Sequence, residues 1–389
     1  MIRQINNQAS FANKVSTKKV CHFTSVHPID DIRIFHKECC SLAANGFDVT
    51  LIAFGDKEHE EERNGVKCIS LHVPIENRIQ RFFKRSKAVY KKALEVDADI
   101  YHFHDPELLP FGLRLKRKGK IVIFDSHEDI PSDIKNKSYI NPFLRRILFI
   151  LYKILEPFII RKFDVVVSVT PHIIEKLKKY NPNTFQITNY PIVTNTDISS
   201  VEVEKFPIPT IFFAGGVNSL WMHEYIIKSL DSINFDVKYL IAGPASNEYL
   251  SKLKKLKSWD SVEYVGVISY SQVGHYYSKS HIGIALPNYT AAGGGKMGTL
   301  GNTKIFEIMK AGLPVICTDF ILWKKIVDDN KCGICVDPKD VSAISKAIIK
   351  LMTNKQEAKL KGKNGENAIL NQYNWGTQEI MLLDIYQNL

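Results

Sequence analysis

GGGKMGTLGNTKIFEIMKAGLPVICTDF, residues 293–320, runs from a glycine-rich loop through a short amphipathic helix into a β-branched run. Residues 293–301 hold too many glycines to form a packed element. In the segment that follows, Ile305, Ile308, Met309 and Ala311 share one helical face, and Gly312 ends the pattern. PVICTDF then reads as a buried strand. A loop feeding a helix that leads into a strand is the repeating step of a parallel α/β sheet. Backbone N–H groups at such a helix start suit a phosphate, and Lys304 adds a formal charge there. Taken alone, the stretch also fits a mobile surface loop with its lysine in solvent. Glu307 weighs against that. One turn past the loop and flanked by apolar residues, its carboxylate is able to accept two hydrogen bonds from a ribose diol, and left unpaired it would be costly to bury.

The same step recurs along the chain. KVCHFTSV, DVTLIAF, KCISLHV, DIYHFH, KIVIFDSH and DVVVSVT read as strands of a first half, with helices at about 31–46, 78–96, 106–118, 141–162 and 172–180. TIFFAGG, VKYLIAG, VEYVGVI, IGIALP, PVICTDF and GICVD are strands of a second half, and the pattern past Asp340 is helical. Continuous apolar strands separated by helices imply parallel sheets covered on both faces. The expected fold class is therefore α/β, with two doubly wound, Rossmann-like domains facing a central cleft. Residues 1–18 are expected to be a disordered lead-in, 19–192 the first domain, 193–371 the second, and 372–389 a closing helix with a return to the first domain open to it. Prolines and small polar residues break the periodicity over 187–210 and set the boundary.

Composition sets the remaining limits. With 389 residues, 45% hydrophobic and 24% charged, the chain supports two cores and is neither disordered nor collagen-like. Fifty-two Lys and Arg against 41 Asp and Glu give a net charge of +11, which points to an anionic partner: nucleic acid, a phosphorylated ligand or an acidic membrane. The polar start lacks an apolar h-region, so a cytosolic protein is expected. Seven cysteines fit reduced thiols, and the Cys332/Cys335 pair reads as a turn entering a strand. No metal-ligand cluster is visible in the spacing, and no cofactor is expected.

Several polar residues fall at strand ends, where ligands bind in such sheets. His102 and His104, two apart in YHFHDPE, point the same way. His127, Glu128 and Asp129 follow the next strand, Asp129 also being suited to cap a helix, and His27, Asp31 and Arg33 follow the first. Asp31 is likewise a natural helix cap. Asp97 and Asp99 resemble a metal-binding pair, but they precede a strand instead of ending one.

TKIFEIMKAGLPVICTDF resembles the signature helix of the retaining glycosyltransferases of family four, which have the GT-B fold. HFTSVHPIDDIRIFHKECCSLAANGFDVTLIA, DADIYHFHDPELLPFGLRLK and FDSHEDIP are similar to the same family, and the likeness runs from about Val20 to the end. The subgroup is one common in bacterial polysaccharide gene sets. The resemblance implies a hexosyltransferase that needs no metal and moves a sugar, with retention, from a nucleotide-diphosphate sugar, UDP-sugar favoured, to a hydroxyl of a lipid-linked glycan in surface polysaccharide (O-antigen, capsule or exopolysaccharide). It implies that Glu307 binds the ribose, that Lys304 and the backbone of Gly301, Asn302 and Thr303 meet the diphosphate, and that His104 sits beside the donor sugar with His102 as its support. His27, Asp31, Arg33, His127 and Glu128 become acceptor-side candidates. Two regions depart from the family. Thr299 stands where a sugar-binding glutamate is usual, and Gly216, Trp221 and Met222 occupy the region of the usual basic pair, leaving Lys304 as the main cation unless Lys296 assists.

Other readings are a nucleotide-sugar epimerase on the same scaffold, a binding protein for nucleic acid or nucleotide, and a degenerate transferase. The chain shows no RNA-binding motif with interleaved aromatics, so nucleic acid is not the expected partner. A membrane surface is. PFLRRILFILYKILEPFII, residues 142–160, is broken by Arg145, Arg146, Lys153 and Glu156, cannot span a bilayer and is expected to be a core helix. Arg81, Phe82, Phe83, Lys84 and Arg85 are instead the expected membrane contact, holding the protein peripherally at the cytosolic face.

Overall fold

The computed structural model describes residues 18–74, 80–126, 129–131, 134, 140–194, 203–290 and 293–389. The chain divides into two compact units, Met1–Thr188 with Gln378–Leu389, and Asn189–Thr377. The expected lead-in lies outside the described residues up to residue 17.

The first unit is built on an eight-stranded sheet. Its strands are β1 (Lys19–Pro28), β2 (Asp48–Phe54), β3 (His59–Arg63), β4 (Val66–Leu71), β5 (Ile100–Phe103), β6 (Ile121–Ser126), β7 (Val165–Ser168) and β8 (Thr184–Gln186), in the order β3-β4-β2-β1-β5-β6-β7-β8. All pairs are parallel except β3 with β4. β3, HEEER, carries no apolar residue and is absent from the sequence expectation. It exists because Asn64 and Gly65, at φ 52° and 75°, make the left-handed two-residue turn that folds it back on β4. Its charges also suit a sheet edge. Phe23, Tyr101, Phe103 and Phe124 fill the core beneath the sheet.

The second unit has six parallel strands, β9 (Thr210–Ala214), β10 (Lys238–Ala242), β11 (Val262–Gly266), β12 (Ile282–Ala285), β13 (Val315–Thr318) and β14 (Gly333–Val336), ordered β11-β10-β9-β12-β13-β14. The strands of this unit coincide with the six apolar runs. Phe212, Phe213, Phe306 and Trp323 anchor its core. In each sheet the chain reverses direction of build-up beside the central strand, at β1/β5 and at β9/β12. The carboxyl ends of those pairs are where such sheets bind ligands.

One expectation is overturned. The helix Pro142–Ile160 buries only Glu156 and Ile160, while Phe143 is 75% and Ile154 57% exposed. A nearly all-apolar segment reads as core by composition alone, yet among the described residues no second layer covers this one.

Candidate functional site

In the second unit the glycine loop ends in a helix of seven residues, Lys304–Lys310. So short a helix has a weak dipole, and the formal charge of Lys304 carries more weight than the N–H groups. Lys304 Nζ lies 2.9 Å from Glu307 Oε2, and the Thr303 hydroxyl donates to Glu307 Oε1 at 2.9 Å. The spacing i, i+1, i+4 places all three on one helical turn. Their side chains are neither sealed in nor free in solvent, Lys304 being 21% and Glu307 16% exposed. The Lys304 stem lies over the end of β9. A Cβ at Gly215 would come within 3.3 Å of Lys304 Cε, so glycine there lets the lysine close on the strand end. Gly216 follows it, with a Cβ position 3.2 Å from Asn218 Nδ2.

The loop is pinned in place. Ile321 and Leu322 donate backbone bonds to the Lys296 and Met297 carbonyls, and Trp323 Nε1 donates to the Thr299 carbonyl at 2.9 Å. Gly298 has φ 78°, and a Cβ there would approach Phe320 Cβ to 2.6 Å, so no other residue fits. Thr299 Oγ1 accepts from Gly301 N at 3.0 Å, and Asn302 Oδ1 accepts from Lys304 N at 3.2 Å. Thr299 thus turns its hydroxyl toward its own loop. Lys296 lies over the Tyr289 ring, 5.5 Å from its centre, and the Tyr289 hydroxyl donates to Asp319. Trp221 and Met222 are buried, Trp221 against Phe213, and bring no cation to the site.

The first unit gathers a polar cluster at the ends of β1, β5 and β6. His22 and His102 are register partners on β1 and β5. His22 Nδ1 lies 3.1 Å from His104 Nε2, and the Tyr386 hydroxyl bridges His22 Nε2 at 3.0 Å and His102 Nδ1 at 2.8 Å. Arg33 donates through Nε to Asp125 at 2.8 Å and through a terminal nitrogen to the Ile187 carbonyl at 2.8 Å, and its Nε is 3.1 Å from Glu38. His104 Nδ1 is 3.3 Å from Asp125. Burial, followed by the neighbouring His104, holds His22 well below the usual imidazole range. Burial and then His22 and His104 do the same to His102. Burial also pushes the Glu38 carboxyl well up, against the pull of Arg33. Arg33 is therefore placed in the interior, and the His104 side chain has no exposed surface. Asp105 ties the two strands together, its Oδ2 accepting from the Thr24 hydroxyl at 2.7 Å and from Ser25 N at 2.6 Å.

Above this cluster His27 pairs with Asp31 at 3.1 Å, and Asp31 caps the helix that starts at Ile32 by accepting from Arg33 N and Ile34 N. Burial opposes the charged imidazole of His27, but its hydrogen bond to Asp31 and the charge of Asp105 outweigh this and raise its pKa. Asp31, whose burial is outweighed by His27 and the capped N–H groups, is held well below the carboxylate range. His127 and Glu128 lie outside the described residues. Asp129 pairs with Lys176 at 2.8 Å. Asp97 pairs with Lys120, and Asp99 accepts from Lys19 N at the opposite, amino-terminal edge of the sheet.

Sequence spacing shows no metal-ligand cluster, but folding makes one: donor atoms of His22, Glu38, His102 and His104 lie within 4.8 Å of one another and could hold one cation. His22, Glu38, Asp125 and Tyr386 are absent from the candidates read in the sequence. Nothing local singles out His22, which meets His102 and His104 only once β1 and β5 are paired.

Of the proposed membrane contacts, Phe82 and Phe83 are 44% and 66% exposed, and Lys84 is exposed. Arg85 turns inward over the Phe54 ring at 4.6 Å, and the side chain of Arg81 lies outside the described residues. Among the seven free cysteines, Cys317 and Cys335 face each other on β13 and β14, 3.6 Å apart.

Residues 34–188 match the family model described as Glycosyltransferase Family 4, and residues 201–368 the model Glycosyl transferases group 1. A GDP-mannose-dependent alpha-(1-6)-phosphatidylinositol monomannoside mannosyltransferase of Mycobacterium tuberculosis is 26% identical over 140 residues, 35% of this chain and 36% of that protein. The match thus spans about a third of that relative's length. Among solved structures, sucrose-phosphate synthase from Thermosynechococcus elongatus superposes with a TM-score of 0.73 at 16% identity, covering 95% of this chain and 98% of that one. HepE of Anabaena, solved with UDP and glucose, superposes with a TM-score of 0.68 at 12% identity over 96% and 100%.

Proposed function

Since this chain belongs to the glycosyltransferases of family four and has their GT-B fold, we propose that it transfers a sugar from a nucleotide-diphosphate sugar to a hydroxyl of a glycan. The observation that carries the reading is the Thr303, Lys304 and Glu307 turn beside Gly215 in the second unit. When the sugar C1–O bond to the outer phosphate breaks, negative charge grows on the diphosphate, and a fixed cation stabilises that growth. Lys304 supplies it, releasing Glu307 to the ribose diol. The acceptor oxygen forms the new C1–O bond with retention, and its proton passes to the departing phosphate. The chain's own cations suffice in this reading, so transfer needs no metal or cofactor. In the first unit His104 is the group assigned to the sugar, and because its ring is buried, contact requires the chain around it to open. His27, paired with Asp31, is the acceptor-side group that the described residues leave nearest solvent, at 29% exposure.

UDP-sugar is the favoured donor, in line with the ligands of HepE, while the mycobacterial relative's name specifies GDP-mannose. The acceptor is a lipid-linked glycan of bacterial surface polysaccharide, met at the cytosolic face of the membrane. The net charge of +11 and the exposed Phe82, Phe83 and Lys84 support that setting. A thermal-shift screen of UDP, GDP, ADP and CMP with their sugars tests the donor, because a ligand bound only by the folded state raises the melting temperature. If no nucleotide raises it, the reading fails. Donor turnover that is independent of any acceptor favours the epimerase instead.

A further inference from the structure

Five elements of the first unit bring polar side chains to one buried point. His22 stands on β1, Glu38 on the helix Ile32–Cys39, His102 on β5 with His104 just after it, and Asp125 on β6, while Tyr386 comes from the closing helix Trp375–Gln387. All six are buried. His22 Nδ1, His104 Nε2 and Glu38 Oε2 form a triangle with sides of 3.1, 3.8 and 3.8 Å. The point equidistant from its corners lies about 2.1 Å from each, the bond length of zinc to imidazole or carboxylate. His102 completes the set, the four donors lying within 4.8 Å of one another. Tyr386 takes its Nδ1, which leaves Nε2, a buried nitrogen with no hydrogen-bond partner among the described residues. The far nitrogens of the three rings all face oxygen. The Tyr386 hydroxyl meets His22 Nε2 at 3.0 Å and His102 Nδ1 at 2.8 Å, and Asp125 Oδ2 lies 3.3 Å from His104 Nδ1. Oxygen at the second nitrogen fixes the orientation of a ligating imidazole and the nitrogen it keeps bare. Charge points the same way. Glu38 and Asp125 share the guanidinium of Arg33, at 3.1 and 2.8 Å, so the cluster holds one negative charge in excess, which a cation or a proton must answer in the interior.

We infer that His22, Glu38, His102 and His104 form a structural zinc(II) site inside the first unit. Three imidazoles and a carboxylate suit tetrahedral zinc, and with all four positions taken by protein no place is open to substrate. The ion is therefore a cross-link between β1, β5 and the helix Ile32–Cys39, not a reagent, and the charge on the departing diphosphate is still met by Lys304. The inference goes beyond the transferase reading and touches it at one residue. His104, ligated through Nε2 and facing Asp125 through Nδ1, has no free nitrogen, so it meets a sugar with its ring edge and neither gives nor takes a proton. The rival occupant of the same place is a proton shared by Glu38 and Asp125, which removes the excess charge without a metal. That arrangement leaves His102 Nε2 unanswered.

A sealed ion is released by unfolding, not by dialysis, so the test unfolds the full chain in guanidinium with a chelator, removes both, and refolds it with no metal, with zinc or with cobalt(II). Wild type is expected to retain one zinc per chain after desalting, by elemental mass spectrometry. Its melting temperature should rise by roughly 10 °C when free zinc stands about a thousandfold above Kd. Cobalt should give the visible absorption of a four-coordinate site without a thiolate charge-transfer band. Glu38→Gln keeps the shape of the side chain and removes the anionic ligand. It should lose the stoichiometric zinc and the shift in melting temperature, and its metal-free form should melt no lower than metal-free wild type, since the excess charge is gone. Should that variant fail to fold, the wild-type stoichiometry and cobalt spectrum still decide. Wild type that refolds without zinc to the same melting temperature as with it overturns the inference in favour of the shared proton. A thiolate band places the ion on cysteines such as Cys317 and Cys335 and overturns it too. So does zinc held equally by Glu38→Gln with an unchanged cobalt spectrum. UDP added to the same samples reads the second unit separately. Zinc binding with no response to any nucleotide sinks only the transferase reading, and a nucleotide response without zinc binding sinks only the metal site.

Discussion

Glu307→Ala separates the two jobs assigned to one helical turn. In the free protein the carboxylate holds Lys304 and Thr303, each at 2.9 Å. The pair is partly exposed, so removing it should change stability by no more than about 0–1 kcal/mol. Donor binding should change far more. Two ribose hydroxyls donating to a carboxylate contribute about 1.5–3 kcal/mol each. Part of that is offset, because the carboxylate must first give up Lys304 and Thr303. The net loss expected is therefore nearer that of one bond, about tenfold to a hundredfold in nucleoside-diphosphate affinity. Pyrophosphate, which has no ribose, should bind the variant at least as well as wild type, because Lys304 loses its competing partner. Isothermal titration with both ligands measures the two effects on one sample. Unchanged nucleotide affinity in a variant with the wild-type melting temperature refutes the ribose role. Equal weakening of pyrophosphate would mean that Glu307 only positions Lys304.

His104→Ala should lower turnover by roughly 10²-fold while donor affinity, set in the other unit, stays within a factor of two or three. A matching collapse in affinity would make it a structural residue. Activity should survive dialysis against EDTA, and a requirement for restored manganese or zinc would direct attention to His22, Glu38, His102 and His104. Tyr386→Phe leaves two buried imidazole nitrogens without their shared partner and should destabilise the protein by about 1–3 kcal/mol, read from urea midpoints. The His27–Asp31 pair gives a pH signature. The raised pKa of His27 adds stability that is complete below its ordinary 6.5 and disappears as pH rises through the folded value. The lowered pKa of Asp31 adds stability above its ordinary 3.8 that disappears as pH falls through the folded value. His27→Gln should therefore destabilise most near pH 5–6 and least above pH 9, and a uniform loss across that range would contradict the pairing.

What could be read before folding was whatever is local. The donor-side turn was legible because Thr303, Lys304 and Glu307 lie within five residues, and the strands of the second unit because each is a continuous apolar run. β3 is not legible, because HEEER has no apolar residue and owes its pairing with β4 to the Asn64–Gly65 turn. The helix 142–160 was misassigned because composition reports that a face is apolar, not whether anything covers it. The rest of the polar cluster around His104 is illegible for a different reason: His22, Glu38, Asp125 and Tyr386 come from four separate elements, and only the fold brings them together.

That Tyr386 bridges two imidazoles has a consequence for biogenesis. It lies 364 residues after His22, and the whole second unit is synthesised in the interval. The first unit therefore completes this hydrogen-bonded bridge only with residues that follow the second unit in the chain. Without the tyrosine, His22 and His102 on β1 and β5 lack the hydroxyl that bridges them in the folded protein.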